Sequence, residues 1–221
     1  MANTHIDGTV GYICTVPMVY EPFVLSMVQL VQYNAHEGLN IYYNRTTVGS
    51  QANARNHLVK SMQGHWLFFV DTDIVFPYDT LSKLLKIQKK NNLDVLSGIY
   101  YQRQAPHYPV VYQSQNDEIW NCEVKFDREN IAEVYGVGGG CLLVKKKVFD
   151  RIQEELKEEP FDIIGSSGED ISFCRRLNKL GIKVHVTNEI PIGHLHVAPV
   201  VKQHFDLSQP INETTDLGVT A

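Results

Sequence analysis

The chain has 221 residues, of which 43% are hydrophobic, and this length and composition suit one globular domain with a full core. Its formal net charge of −5 at pH 7 argues against binding to nucleic acid or to an anionic membrane surface, because both partners require a basic face. No apolar run reaches the roughly 18 residues of a transmembrane segment, and no signal peptide is recognisable, so we expect a soluble, cytoplasmic protein.

The first half of the chain alternates predicted strands with predicted helices. Apolar and β-branched runs predict strands at residues 10–17, 40–43, 66–70 and 94–100. The helices between them are expected to begin at Pro22, Ser50 and Asp79, which are residue types favoured at helix starts. The apolar residues expected on the packed face of the first helix are Phe23, Met27, Leu30 and Val31. This alternation predicts an α/β fold in which helices cover both faces of a parallel sheet.

The second half of the chain has a different pattern. The short strands expected after His107 have no helix between them, which predicts a small antiparallel extension of the sheet. They cover residues 109–112, 119–126 and 131–137. Three glycines at 138–140 then lead into a buried strand, and they imply either the close approach of a ligand or a positive φ. The remaining predicted elements are a strand at 141–144, a helix that ends before Pro160, a helix at 169–181 and a strand at 183–187.

Two carboxylates, Asp71 and Asp73, follow the apolar run at 66–70, and Pro77 ends any further strand pairing. Open α/β sheets bind ligands at the carboxyl ends of their strands. Two carboxylates from one turn also suit Mg²⁺ or Mn²⁺, which carry substrate phosphates. Asp is equally common as a cap of turns and helices, so this spacing by itself leaves both interpretations open.

Polar groups gather at the start of the helix that follows Ser50. These residues are Gln51, Asn53, Arg55 and Asn56. They form either a solvated helix face or a helix terminus that offers amides and a guanidinium to an anion.

Further candidate groups lie near the end of the chain. A Gly/Ser-rich loop leads to Glu169 and Asp170, which either stabilise the start of a helix or face a substrate. His194 and His196 follow the last predicted strand, and either could add a nitrogen ligand to the carboxylates. A mixed set of oxygen and nitrogen ligands favours Mn²⁺ over Mg²⁺. A metal-assisted transfer site with a carboxylate base would use all of these groups.

The order of these motifs resembles that of GT-A fold glycosyltransferases over residues 10–196. The matching motifs are DTDIVFP at 71–77, SGIYY at 97–101 with a nearby Arg, VGGGCLLV at 137–144, GEDISFC at 168–174 and GH at 193–194. The small glycosyltransferases of bacteria and large DNA viruses, including those that build capsid glycans, are the most similar. The resemblance implies a single Rossmann-like GT-A domain with a mostly parallel central sheet, flanking helices and a small antiparallel extension.

The resemblance also implies a donor site. Thr15 and Pro17 match the positions that hold the nucleotide base and ribose. Arg55 matches an arginine near the diphosphate or the donor sugar. Gly139 and Gly140 match the floor under that sugar. Many members carry an Asp after the second strand to bind uracil, and residues 41–44 contain none, so the base stays open although a UDP-sugar is expected.

For the metal site, Asp71 matches the carboxylate that faces ribose and sugar, and Asp73 matches the one that binds the cation directly. Thr72 lies between them and is assigned to the donor site. His194 matches a histidine that ligates the metal in some members, with His196 as the competing choice. The implied cofactor is Mn²⁺ or Mg²⁺, bound together with the nucleotide-sugar.

Asp170 matches the catalytic base of the family, with Glu169 beside it. In an inverting enzyme Asp170 would take the proton of the acceptor hydroxyl, whereas in a retaining enzyme the carboxylates would position the donor sugar. The resemblance divides the chain into an N-terminal segment at 1–9 that is disordered or an expression remnant, a nucleotide-binding half at 10–101, an acceptor and catalytic half at 102–200, and a C-terminal tail at 201–221.

The expected activity is that of a metal-dependent hexosyltransferase that moves a sugar from a nucleotide diphosphate sugar to a hydroxyl of a carbohydrate or glycoprotein acceptor. It would act in the cytoplasm, or in the host cytoplasm if the protein is viral, and further domains of a larger polypeptide could accompany it. A sugar-1-phosphate nucleotidyltransferase is the second candidate, but residues 15–20 lack the Gly-rich, cationic loop that it needs. A binding module without activity is the third, and it predicts that metal has no effect on nucleotide affinity.

Overall fold

The computed structural model describes residues 5–14, 19–47, 49–115 and 118–196. Its strands are β1 Gly8–Ile13, β2 Ile41–Thr46, β3 Trp66–Asp71, β4 Ile74–Val75, β5 Val95–Gly98, β6 Val111–Gln115, β7 Glu118–Asn121, β8 Ile131–Val134, β9 Gly136–Val137, β10 Cys141–Lys145, β11 Val184–Thr187 and β12 Gly193–His194. Its helices are α1 Glu21–His36, α2 Gln51–Ser61, α3 Thr80–Lys90, α4 Lys146–Arg151, which a π-helical turn at Ile152–Leu156 extends, and α5 Glu169–Lys179. Within these ranges, no helix combines the length and the apolarity that crossing a bilayer requires.

A seven-stranded sheet in the order β2-β1-β3-β10-β5-β11-β8 forms the centre of the fold. β1 pairs in parallel with β2 and β3, and β11 pairs in parallel with β5. β10 lies antiparallel between β3 and β5, and β8 lies antiparallel to β11 at the edge. β2, β1, β3, β5 and β11 therefore run in one direction, which confirms the predicted α/β fold with a mostly parallel sheet.

Hydrophobic clusters cover both faces of this sheet. One cluster packs α2, α4 and α5 against the sheet, and the other packs α1 and α3 against the opposite face. β3 contributes to both clusters, because successive side chains of a strand point to opposite faces, so that Phe69 enters the first and Phe68 the second. This double burial explains the unbroken apolar run at 66–70.

The small antiparallel extension is present, but one of its predicted strands lies elsewhere. β6 pairs antiparallel with β7 and β9 in a separate three-stranded sheet. β8 instead joins the central sheet beside β11, where Ile131 and Val134 are buried and Glu133 remains exposed to pair with Lys183. The assignment of 131–137 as a whole to the extension is therefore wrong, because these apolar side chains complete the core of the main sheet.

The packed face of α1 agrees with the prediction at Phe23, Met27 and Leu30 and differs at Val31. The residues of this helix that are buried are Phe23, Ser26, Leu30 and Asn34. Val31, which we expected in the core, is 38% exposed. Two buried polar residues replace it as anchors, since the amide of Phe76 donates to Ser26 Oγ (3.2 Å) and Ser82 Oγ donates to Asn34 Oδ1 (2.9 Å).

The predicted helix starts are correct in position but differ in chemistry. Ser50 Oγ accepts a hydrogen bond from the amide of Asn53 at the start of α2 (3.3 Å). Asp79 precedes α3 as expected, but its carboxylate makes no capping hydrogen bond and pairs instead with Lys83 (2.9 Å). The backbone of Asp79 has ψ near 6°, outside the extended region that a capping side chain requires.

Candidate functional site

Asp73 and His194 meet at the carboxyl end of β3. Asp71 is the last residue of that strand, and Thr72 and Asp73 form the half-buried turn into β4. β12 pairs antiparallel with β4, with His194 opposite Ile74, and the amide of Leu195 donates to the Asp73 carbonyl oxygen (2.7 Å). His194 Nε2 consequently lies 3.3 Å from Asp73 Oδ2, although the two residues are 121 positions apart.

The environment of His194 determines which of its ring nitrogens faces Asp73. His194 Nδ1 lies 2.8 Å from the carbonyl oxygen of Tyr101, which can only accept, so Nδ1 carries a proton and donates it. In a neutral imidazole Nε2 then presents a lone pair to the Asp73 carboxylate, and two acceptors face each other. Either a proton on Nε2 or a metal ion shared between the two atoms satisfies both, and a metal-binding histidine commonly donates its second N–H to a backbone carbonyl in this way.

Electrostatic effects around this pair favour its charged forms. Burial alone would lower the pKa of His194, but its hydrogen bonds with Asp73 and the Tyr101 carbonyl raise it above its ordinary value. Burial alone would raise the pKa of Asp73, but His194 and Arg103 lower it. Arg103 Nη1 lies 3.2 Å from Asp73 Oδ2 on a side chain that is 43% exposed. Asp73 is therefore a carboxylate that pairs with Arg103 and, when the imidazole is protonated, with His194.

A second cluster surrounds the guanidinium of Arg55, whose side chain is only 3% exposed. Arg55 Nη2 donates to both carboxylate oxygens of Asp71 (3.0 and 3.3 Å), and Nε donates to Glu169 Oε1 (3.3 Å). Nη1 donates to the carbonyl oxygen of Gly139 (3.2 Å). Burial would lower the pKa of the guanidinium, but the charges of Asp71, Glu169 and Asp170 raise it above its ordinary value. Arg55 thus joins the end of β3 to the start of α5.

This arrangement resolves the polar group at the start of α2 into two parts. Gln51 and Asn53 are exposed, whereas Arg55 and Asn56 are buried. Asn56 Nδ2 donates to Asp162 Oδ1 (2.8 Å), and the amide of Phe161 donates to Asn56 Oδ1 (2.9 Å). Arg55 is therefore not part of a solvated face. Its guanidinium donates its hydrogen bonds to carboxylates of the protein itself, Asp71 and Glu169.

The three glycines at 138–140 are close to side chains of the protein rather than in a special backbone conformation. A Cβ atom on Gly139 would lie 2.5 Å from Arg55 Cζ, and one on Gly140 would lie 2.9 Å from Tyr100 Oη. None of the three has a positive φ, so that alternative is wrong. The amide of Gly140 donates to Tyr100 Oη (3.1 Å). The predicted role of Gly139 and Gly140 as a floor for the donor sugar stays a prediction.

The two acidic residues at the start of α5 differ in their environments. Glu169 faces Arg55, whereas Asp170 Oδ1 accepts from the amide of Ile171 (2.8 Å), one of the helix N–H groups without a partner inside the helix. Burial, followed by the charge of Glu169, raises the pKa of Asp170 above its ordinary value. A carboxylate of raised pKa is a stronger proton acceptor than an ordinary one.

The structure assembles only part of the predicted metal set. Within residues 5–14, 19–47, 49–115 and 118–196, no three His, Cys, Asp or Glu side chains come together in a cluster that could hold a metal ion. His194 lies 3.3 Å from Asp73, whereas Asp71 pairs with Arg55. Both His194 and His196 line an adjacent cavity. His194 is therefore the better of the two histidine candidates. Thr15 and Pro17 lie outside the described residues.

Comparison with known proteins identifies the family of this chain. The family model for glycosyl transferase family 2 matches residues 27–181, a span that includes α2, the β3 carboxylates, the three glycines and α5. The chain belongs to glycosyl transferase family 2. A comparison with curated protein sequences found no match.

Solved structures give the same answer at the level of the fold, and 332 chains match. One of them is the crystal structure of GalNAc-T7 with UDP, GalNAc and Mn²⁺, which has a TM-score of 0.61 and 10% sequence identity and covers 86% of this chain. The family 2 chain spans 43% of the GalNAc-T7 chain, so the comparison concerns less than half of that protein. At this identity the likeness shows the fold, and together with the family match it confirms the expected GT-A glycosyltransferase. The narrower viral or bacterial assignment stays a prediction.

Two further residues of this family 2 site were not assigned from the sequence. The sequence indicates Arg103 only as an arginine near the SGIYY motif and Tyr100 only as part of a strand. Tyr100 is buried, and its ring packs edge-on against His194 at 5.4 Å between ring centroids. Its hydroxyl accepts a hydrogen bond from the amide of Gly140, and Arg55 binds the carbonyl oxygen of the preceding residue, Gly139. This side chain therefore lies between the Asp73–His194 pair and the Arg55 cluster.

Proposed function

We propose that this family 2 glycosyltransferase is a metal-dependent enzyme that transfers a hexosyl group from a UDP-sugar to a hydroxyl of a glycan acceptor. The observation that carries this proposal is the Asp73–His194 pair, which brings a carboxylate oxygen and an imidazole nitrogen from distant segments within 3.3 Å of each other. The pair lies at the carboxyl end of a central strand, where α/β folds bind ligands.

The residues present fit a divalent cation. Asp73 offers a carboxylate oxygen and His194 an imidazole nitrogen, and this mixed donor set favours Mn²⁺. Two protein ligands leave coordination positions for diphosphate oxygens and water, as is usual where a cation binds together with a phosphate substrate. The presence of UDP and Mn²⁺ in the GalNAc-T7 structure supports the same pairing of donor and metal. When bound, the ion would supply Lewis-acid stabilisation of the diphosphate leaving group.

The residues of the chain itself have separate tasks in this proposal. Arg55 holds Asp71 and Glu169 in place, so that the donor-side carboxylates keep one orientation. Asp170 accepts the proton of the acceptor hydroxyl while the oxygen of that hydroxyl forms a bond to the anomeric carbon. The bond from that carbon to the diphosphate oxygen breaks in the same step, and the electron pair leaves with the diphosphate. This sequence inverts the configuration at the anomeric carbon, and we place it ahead of a retaining mechanism because the raised pKa of Asp170 suits a base.

The proposal can be tested by calorimetric titration of UDP with and without Mn²⁺. We expect UDP binding to require Mn²⁺ in the unmodified protein and to weaken by at least about 10-fold in Asp73→Ala, because the variant loses a charged ligand of the cation. Asp150→Ala is the matched control, since Asp150 is an exposed carboxylate that pairs with Lys146 on α4.

Equal UDP binding with and without the metal, or no binding at all, would contradict the proposal. Loss of binding in both variants would indicate a general effect of removing a carboxylate. If UDP binding does require Mn²⁺, screening of UDP-sugars by release of UDP would identify the donor.

A further inference from the structure

Arg103 lies beside the proposed cation site and contacts one of its ligand atoms. Arg103 Nη1 is 3.2 Å from Asp73 Oδ2, and the same oxygen is 3.3 Å from His194 Nε2. A divalent cation held by Asp73 Oδ2 and His194 Nε2 would therefore meet a guanidinium at that oxygen. Like charges repel, and the repulsion is stronger in a partly buried site than in water. Arg103 and the cation consequently compete for Asp73.

The segment that carries Arg103 allows its side chain to move while the neighbouring backbone stays in place. The carbonyl oxygen of Tyr101 accepts from His194 Nδ1 (2.8 Å), and Gln102 Nε2 donates to Asn121 Oδ1 (2.9 Å). The Arg103 side chain, in contrast, is 43% exposed. Rotation about its side-chain bonds can therefore carry the guanidinium away from the carboxylate without disturbing His194.

Of the two arginines at this site, Arg103 is the one whose N–H groups are available to a ligand. Arg55 is buried and already donates to Asp71, Glu169 and the carbonyl oxygen of Gly139. Arg103 has five N–H donors and a single carboxylate partner among the residues that the structure describes. Guanidinium groups bind phosphate oxygens bidentately. The diphosphate of a nucleotide-sugar is therefore a suitable second partner for Arg103.

We propose that Arg103 couples cation binding to donor binding by changing its partner from Asp73 to the diphosphate of the nucleotide-sugar. The inference rests on the glycosyl transfer proposed above and adds a donor-binding residue to that site. Without a nucleotide, the charge of Arg103 weakens cation binding at Asp73 and His194. With a nucleotide, the diphosphate oxygens accept the hydrogen bonds of Arg103, and Asp73 is left to the cation.

The test measures two affinities of Arg103→Ala that are expected to change in opposite directions. The affinity for Mn²⁺ alone is measured from the electron paramagnetic resonance signal of the free ion. It should rise by about 10-fold, because a competing positive charge is removed. The affinity for UDP at saturating Mn²⁺ is measured by calorimetry. It should fall by about 10-fold, because the diphosphate loses a bidentate partner.

Two further variants separate the charge of Arg103 from its shape and from general effects. Arg103→Lys retains the positive charge without the planar fork, so it should keep the Mn²⁺ affinity of the unmodified protein and still bind UDP more weakly. Arg128→Ala is the matched control, since Arg128 is an exposed arginine in the turn before β8. It should change either affinity by less than about twofold, because its charge is screened by solvent.

Weaker binding of both Mn²⁺ and UDP in Arg103→Ala would overturn the inference, because it would show that Arg103 only holds Asp73 in position. Unchanged affinities in that variant would overturn it as well. In either case, Mn²⁺-dependent binding of UDP to the unmodified protein would leave the proposed function standing. If the unmodified protein does not bind UDP with Mn²⁺, the proposed function fails and the inference fails with it.

Discussion

At the scale of single residues, Arg55 shows how a buried charge is used in this molecule. Removing a guanidinium from water is costly, and only close carboxylates and hydrogen-bond acceptors compensate for it. Arg55 has Asp71 and Glu169 as ionic partners, the Gly139 carbonyl as a third acceptor and the ring of Phe69 at 5.6 Å. The planar fork of arginine reaches the three acceptors at once, which a lysine could not do.

We predict that Arg55→Ala lowers the free energy of unfolding by about 3–5 kcal/mol, because it leaves the partly buried Asp71 and Glu169 carboxylates facing each other without a cation. Urea unfolding followed by circular dichroism measures the change. Lys60→Ala is the control, since Lys60 on the same helix forms an exposed ion pair with Glu159 and should cost less than about 1 kcal/mol. Equal losses in the two variants would show that the buried network adds no stability.

The pKa of Asp170 has a consequence for stability whose sign can be worked out. Its pKa is higher in the folded state than the ordinary value of about 3.9, so the folded protein binds more protons than the unfolded chain between the two values. Stability is therefore lost as the pH rises through that window. At neutral pH the buried carboxylate is a destabilising group that is retained for another reason, which under our proposal is catalysis.

We predict that Asp170→Asn lowers kcat by about 10²–10⁴-fold yet raises the Tm at pH 7. The Asn keeps an acceptor for the amide of Ile171 but has no charge to bury. The gain in Tm should narrow as the pH falls towards the ordinary pKa of Asp, because the native residue then becomes neutral as well. Asp150→Asn, at an exposed position, should show neither effect. A less stable or fully active Asp170→Asn would contradict this account.

At the scale of elements, α1 illustrates why hydrophobic periodicity finds the packed face of a helix but not every residue on it. Its inner face carries Ser26 and Asn34, which are satisfied by Phe76 and Ser82 of neighbouring segments. Because these partners come from distant parts of the chain, periodicity cannot anticipate that two polar residues are buried. The apolar residues of α1 that the packing leaves exposed are Val24, Leu25, Val28 and Val31.

We predict that two neighbouring truncations in α1 differ strongly in their effect. Leu30→Ala should lower the free energy of unfolding by about 2–5 kcal/mol, since Leu30 is fully buried in the cluster shared with α3. Val31→Ala should cost less than about 1 kcal/mol, because its side chain already contacts solvent. Urea unfolding of both variants measures the difference. Similar values would show that Val31 contributes to the core as Leu30 does, which the periodicity predicted.

At the scale of the whole molecule, much of the architecture follows from local sequence patterns. The alternation of apolar runs with helix-start residues predicted the parallel strands, and the change of pattern after His107 predicted an antiparallel region. The position of β10 between β3 and β5 was not predicted, nor was the addition of β8 to the sheet edge. Both are pairing choices between segments far apart in the chain, and an apolar strand carries no local record of its partner or direction.

The sequence by itself determined the strand and helix types, the family resemblance and the chemical groups available to the site. These follow from periodicity and residue chemistry, which are local properties. Only the tertiary structure decided how the groups are paired: Asp71 with Arg55, Asp73 with His194 and Arg103. The sequence spacing suggested that the two aspartates act together. In the fold each pairs with side chains of other segments, Asp71 with Arg55 of α2 and Asp73 with Arg103 and His194. The physical reason is that strand pairing such as that of β4 with β12 brings distant side chains within hydrogen-bonding distance, and that proximity arises only when the chain folds.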